Sequence, residues 1–189
     1  MASLGHYTLF LTLSLALYAA AGSIIGARSN DQRLVRSARY ATYLAALTAA
    51  VAVAALIAAF VARDFRVEYV YQHSSRSLGR LYTLLAFYAG NAGSLLYITL
   101  NLAVMAAVAV AWPPRAARAS LPYTNAVLAL VVAFFAGVVF FLSNPFNQLP
   151  FTPPDGNGLN PLLIHYGMLF HPPTMMTGLI AVAIPFAFA

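Results

Sequence analysis

The chain has 189 residues, of which 62% are hydrophobic and only 7% carry a charged side chain. Soluble domains average about 25% charged residues, so this composition excludes an ordinary soluble domain and predicts a protein whose main solvent is lipid. The net charge of +6 would suit nucleic acid, but the arginines stand between apolar runs rather than in one stripe, so we predict no nucleic-acid binding.

Five apolar stretches are long enough to cross, or nearly cross, a bilayer core of about 30 Å, which needs roughly 20 helical residues. We predict membrane-spanning helices at 7–27, 40–62, 93–112, 121–142 and 173–189. The predicted fold is an all-α polytopic membrane helix bundle, a single membrane domain over 1–189 with short helices lying on the membrane surface. The last stretch is still apolar at Ala189, so we expect the chain to continue; a truncated sequence and a split gene both remain open.

The arginine counts of the short loops predict an orientation. The loops after the first and third spans contain six arginines: Arg28, Arg33, Arg36, Arg39, Arg115 and Arg118. The loops after the second and fourth spans contain four: Arg63, Arg66, Arg76 and Arg80. Because arginine is enriched in cytoplasmic loops, we predict that the N-terminus lies outside, on the same face as His73, His165 and His171.

Two long segments lie on this predicted outer face. Residues 63–90 mix aromatic side chains with arginines, which predicts an amphipathic segment along the membrane surface. Residues 143–173 begin as a turn-rich loop, in which we predict that Asp155 of PPDGNG is a turn residue. From about Pro161 this segment predicts a short helix near the surface.

His171 is the main candidate for a metal ligand. It precedes Pro172 and Pro173, and proline is favoured at the first helical position, so we predict that His171 lies at or beside the N-cap of the last span. The positive end of a helix dipole disfavours imidazolium there, and a neutral ring can offer its lone pair to haem iron as an axial ligand. The alternative is a histidine that only caps the helix or lies at the lipid interface.

The other candidates have weaker support. His165 is six residues before His171, about 240° away on a continuous helix, so the two would not share a face; a polar interface residue is the alternative. His73 could meet His171 only through tertiary folding. The four outer arginines are candidates for haem propionates, although lipid headgroups are equally good partners: Arg63, Arg66, Arg76 and Arg80. We predict no catalytic acid, base or nucleophile, and cysteine is absent.

Three stretches, in order, carry a family resemblance. They are DFRVEYVYQHSS (64–75), YAGNAGSLLYITL (88–100), and SNPF followed by PPDGNGLNPLL, MLFHPP and IPFAFA. Together they resemble the N-terminal part of the CcmF/NrfE family, the haem lyase subunits of bacterial cytochrome c maturation. The resemblance covers roughly residues 60–189 and the topology of the first two spans. The chain differs from the family pattern at two positions: Ala92 stands where the family has an acidic residue, and Tyr88 where it has a tryptophan.

The resemblance implies a haem lyase of the bacterial inner membrane that joins haem vinyl groups to the CxxCH thiols of apocytochrome c on the periplasmic face. The implied partners are the haem chaperone CcmE, apocytochrome c and a CcmH-type thiol reductant subunit. The histidine of the family's HPP motif maps onto His171. The tryptophan-rich WWD segment, the second periplasmic histidine and the ligands of a structural haem b lie beyond residue 189, so we expect this chain alone to be inactive.

Two alternatives remain open at this point. One is a haem delivery or export protein of the CcmC/CcsA type, and the other is a membrane scaffold or transporter without haem. The DFRVEYV and GSLLYITL stretches favour the lyase family over the delivery type. The absence of charge within the predicted spans and of repeated halves argues against a transporter.

Overall fold

The computed structural model describes residues 1–189, apart from the side chain of residue 116. Its α-helices are α1 (Ala2–Arg28), α2 (Gln32–Val61), α3 (Glu68–His73), α4 (Arg80–Leu85), α5 (Asn91–Ala111), α6 (Leu121–Phe141), α7 (Gly167–Ala181) and α8 (Ala183–Phe188). Single 3-10 turns lie at Ala86–Tyr88, Arg115–Ala117 and Pro161–Leu163. In this described part of the chain, the only β pairing is an isolated bridge between Val67 and Gln148.

Five helical segments are long and apolar enough to cross a membrane: α1, α2, α5, α6 and the segment Gly167–Phe188 that contains α7 and α8. The prediction of an all-α membrane helix bundle is therefore confirmed. Helix α1 packs between α2 and α6, and α5 packs on both of these partners. Most buried positions of α2 are alanines. In lipid the hydrophobic effect does not drive helices together, so they associate by close packing, which small side chains allow.

Hydrogen bonds between polar side chains tie the spanning helices together. Asn125 of α6 donates to Ser23 Oγ of α1 and accepts from Thr42 Oγ1 of α2, both at 2.8 Å. Thr12 of α1 and Thr48 of α2 share a further bond of 2.8 Å. Such contacts satisfy polar groups that lipid cannot solvate, and they account for these side chains without a functional role.

The two long segments pack together at the end of the bundle that carries the N-terminus, which we call the loop end. Backbone bonds join them, from Leu149 N to Arg66 O at 2.9 Å and from Asn157 N to Tyr71 O at 2.8 Å. His6 of α1 lies there too, 3.1 Å from Asn144 Nδ2 through its Nδ1. The sequence connectivity places all four histidines at the loop end, whereas residues 29–31 and 112–120 form the opposite end.

The last spanning helix begins earlier than predicted. Helix α7 starts at Gly167, so His171 is its fifth residue and not at or beside its N-cap, and Pro172 and Pro173 lie inside the helix. The predicted short helix from Pro161 is also wrong in extent, because only Pro161–Leu163 forms a single 3-10 turn before the chain bends into α7.

Candidate functional site

A side-chain hydrogen bond from outside α7 compensates for the first of its two internal prolines, Pro172. Proline has no N–H, so Pro172 cannot donate to the Met168 carbonyl four residues earlier, as a helix normally requires. The Tyr88 hydroxyl donates to this carbonyl instead, at 2.9 Å. A donor 80 residues away thus replaces the missing backbone bond and fixes the first turn of α7 against the 3-10 turn Ala86–Tyr88 that precedes α5.

His171 follows in the second turn of α7 and is exposed. In the described part of the structure no residue hydrogen-bonds the ring, and the His171 carbonyl accepts from Thr174 Oγ1 at 3.1 Å. A cavity of about 320 Å³ lies beside it, with Leu162, Leu163 and Met168 as apolar walls. Leu162 is 87% exposed. An accessible imidazole next to apolar surface suits a flat, mostly apolar ligand with a metal at its centre.

His165 also lines this cavity, although on a continuous helix the two histidines would not share a face. The two residues are not on one continuous helix, because His165 precedes α7, which starts at Gly167. Its Nδ1 accepts a hydrogen bond from Gly167 N at 3.0 Å. A neutral ring must therefore carry its proton on Nε2, which leaves no lone pair there for a metal. His165, one residue before the N-cap Tyr166, thus satisfies the first backbone N–H of α7, a task that the sequence had suggested for His171.

His73 lies in a different environment. Its Nδ1 is 3.0 Å from the Tyr69 carbonyl, which can only accept, so Nδ1 carries the proton and Nε2 keeps its lone pair. The Nε2 edge, however, faces Gly90 so closely that a Cβ there would overlap it. His73 also does not line the His171 cavity. The arrangement therefore packs His73 against the turn before α5.

Tyr69 supports the same turn and was missed by the sequence analysis. Its hydroxyl donates towards Phe87 O at 3.1 Å and accepts from Gly90 N at 2.9 Å. Burial is the main cause that raises the pKa of Tyr69 to about 12, partly offset by the backbone hydrogen bonds of Gly90 and Gly93. The hydroxyl therefore stays protonated at neutral pH and can serve as a donor.

The four outer arginines do not form one group. Arg63 and Arg80 line a cavity of about 490 Å³ at the end of α2, and this cavity shares no lining residue with the one at His171. Arg66 accepts a backbone bond from the second loop segment. Arg76 donates its backbone N–H to Asp155 Oδ1 at 2.8 Å. The structure thus brings two of the four propionate candidates together, away from His171.

Asp155 is a turn residue that also joins the two loop segments. Its Oδ1 accepts from Gly156 N at 2.7 Å within its own turn and from Arg76 N across the loops. These two backbone N–H groups are the main cause that lowers the pKa of Asp155, and the positive charges of Arg76 and Arg63 act in the same direction. The carboxylate is therefore ionised at neutral pH.

These features define a polytopic membrane protein with an exposed imidazole beside an apolar cavity at one end of its helix bundle. No family model matches the chain. Over its whole length, however, it is 33% identical to the cytochrome c-type biogenesis protein CcmF of Haemophilus influenzae and 32% identical to CcmF of Escherichia coli strain K12. It also superposes on the solved structure of cytochrome c haem lyase CcmF with a TM-score of 0.82 and 26% identity, over 98% of this chain.

The chain belongs to the CcmF/NrfE family and corresponds to its N-terminal part. It spans 29% of the length of the two curated relatives and 29% of the solved chain. The protein of Haemophilus influenzae named cytochrome c-type biogenesis protein NrfE is 29% identical over 184 residues. The family resemblance of the ordered motifs is therefore confirmed, and it extends over the first two spans as well.

Proposed function

We propose that this chain is the N-terminal, haem-handling part of a cytochrome c haem lyase and that it works with the remainder of the family's length. In the proposed reaction each thiol of a CxxCH motif in apocytochrome c adds across a haem vinyl group to form a thioether. No acid–base or nucleophilic constellation is required of this chain for that role. Its contribution is positioning, which brings the substrate haem to a fixed place beside the incoming thiols.

The observation that carries this proposal is the availability of the His171 ring. Its nitrogens are engaged by no described residue, whereas His165 Nδ1 accepts a hydrogen bond and His73 Nε2 faces backbone. His171 is therefore the histidine best able to serve as an axial ligand of the substrate haem. The apolar walls beside it would contact the porphyrin face and exclude water from the iron.

The loop end is the proposed periplasmic face of the bacterial inner membrane. The arginine distribution supports this orientation, and the N-terminus would then be periplasmic. The haem chaperone CcmE, apocytochrome c and a CcmH-type thiol reductant subunit would approach the same face, because the His171 cavity opens there. A structural haem b, where the complete protein holds one, would be ligated outside this chain.

The test is His171→Ala in the full-length protein, with His165→Asn as the matched control. Asparagine retains a side-chain acceptor for Gly167 N and removes the imidazole, so it preserves the capping interaction. We expect His171→Ala to abolish holocytochrome c production at a normal membrane level of the protein, and added imidazole to restore part of it. His165→Asn should retain activity. Undiminished holocytochrome c in His171→Ala would contradict the proposal.

A further inference from the structure

A second cavity at the loop end combines positive charge with lipid-facing surface. It measures about 490 Å³ and lies where α2 ends and α4 begins, lined by Val61, Arg63, Arg80, Thr83 and Leu84. These lining residues include two guanidinium groups and no carboxylate. Val61 is the last residue of a spanning helix and is 61% exposed, so the cavity lies at the boundary between hydrocarbon and headgroups.

Arg63 occupies a backbone position that usually belongs to glycine. Its φ is 53°, and bonds from Arg63 N to Phe60 O and from Asp64 N to Ala59 O, both 3.0 Å, form the Schellman motif that ends α2. A left-handed conformation is unfavourable for a residue with a Cβ. The side chain is fixed by a bond from Nη2 to Leu78 O at 3.2 Å, which leaves the other guanidinium donors for an anion.

Helix α4 supplies the second guanidinium. Arg80 is its first residue, and Thr83 and Leu84 share its face because residues three and four apart are neighbours on a helix. Tyr82 lies on the opposite face and lines the cavity formed by the glycine-rich loop at 156–158. The arginine cavity therefore lies on the side of α4 that faces away from this loop.

We propose that the Arg63–Arg80 cavity binds the phosphate of an anionic phospholipid headgroup. Guanidinium forks match phosphate oxygens geometrically, and the exposed Val61, Leu81 and Leu84 provide apolar surface for the upper acyl chains. A lipid fits better than a haem propionate here because the cavity adjoins the end of a spanning helix and shares no residue with the His171 cavity. The proposal does not rest on the haem lyase function.

The test compares lipid retention in the full-length protein. The protein is placed in phosphatidylcholine nanodiscs that contain a minor share of phosphatidylglycerol, and the bound lipid is counted by native mass spectrometry. We expect the wild type to retain one phosphatidylglycerol at this site and Arg80→Gln to bind it about ten- to a hundredfold more weakly. Arg80 is exposed, so its replacement should not prevent folding. Arg118→Gln, exposed at the opposite end, is the control.

Two competition arms separate the sources of the anion, and a third variant separates this proposal from the proposed function. Equal retention by the wild type and Arg80→Gln would overturn the proposal. Displacement of the lipid by inorganic phosphate would indicate a site for a soluble anion, and displacement by a metal-free porphyrin dicarboxylate would indicate a propionate site; either result would overturn the lipid assignment. His171→Ala should retain phosphatidylglycerol in full, whether or not it supports cytochrome c maturation, so failure of one proposal is distinguishable from failure of the other.

Discussion

The hydrogen bond from Tyr88 to Met168 O can be removed with almost no change of shape. Tyr88 is only 6% exposed, and burial raises the pKa of its hydroxyl, so the group is a protonated donor at neutral pH. Tyr88→Phe keeps the ring and deletes this donor. The Met168 carbonyl is then left without a partner, because residue 172 is proline. Leaving a buried acceptor unpaired costs about 1–3 kcal/mol.

This loss falls on a helix with few other attachments. Met168 and Ile180 are the buried residues of α7, and one side-chain bond joins α7 to α5, between Thr177 Oγ1 and Tyr97 OH at 3.2 Å. A cost of about 1–3 kcal/mol corresponds to a shift of roughly 5- to 150-fold in a two-state equilibrium. We therefore expect the first turn of α7 to detach about that much more often.

Hydrogen–deuterium exchange of the amides at 165–171 measures this detachment. Tyr88→Phe should accelerate exchange there, and Tyr123→Phe, a change at an exposed tyrosine of the opposite end, should not. If His171 binds haem, the same variant should lower haem occupancy at an unchanged protein level. Wild-type exchange at 165–171 in Tyr88→Phe would refute this expectation, since it would mean that the Met168 carbonyl needs no donor from the Tyr88 side chain.

Two other predictions concern the loop end. Asp155→Ala should increase proteolysis of the two loop segments and Asp155→Asn much less, because asparagine retains the acceptor oxygen. Folding lowers the pKa of Asp155 from its usual 3.8. The stabilisation of the two loop segments by the ionised carboxylate should therefore be complete above about pH 4 and be lost as the pH falls through the folded-state pKa. Cleavage rates that do not depend on pH in that range would contradict this. The chain has no cysteine, so a single introduced cysteine reports the side of the membrane on which it lies. Ser77→Cys should react with a membrane-impermeant maleimide in spheroplasts, and Ser29→Cys only after lysis. The reverse labelling pattern would contradict the proposed orientation.

The spanning helices were predictable from the sequence because each depends on a long, continuous run of apolar residues. Each needs roughly 20 consecutive apolar residues, and the five apolar runs correspond to the five apolar helices of the structure. Helix ends have different causes. Hydropathy starts the second predicted span at residue 40, whereas α2 starts at Gln32, after Asp31, whose carboxylate accepts from Arg33 N at 2.9 Å and caps the helix. That capping signal is visible in the sequence, whereas hydropathy measures only where lipid begins.

The position of His171 in its helix was not predictable from local rules. Proline favours the first helical position because its missing N–H is not needed there, and this preference placed the helix start at HPP. The structure places the prolines one turn further in, where the missing bond from residue 172 is replaced by the Tyr88 hydroxyl. No sequence window contains both partners, which are 80 residues apart, so this compensation becomes visible only in the folded chain.

The early start of α7 is also what leaves the His171 ring available. A helix that began at the prolines would place residue 171 at its N-cap, where an imidazole that accepts from a backbone N–H uses one nitrogen for that bond. Because α7 begins at Gly167, the ring that accepts a backbone N–H at its start is that of His165, through Nδ1. His171 lies in the second turn, where its ring makes no hydrogen bond to the helix. The bond from Tyr88, which replaces the missing bond of Pro172, thus supports the helix start at Gly167 that leaves the His171 ring without a hydrogen bond.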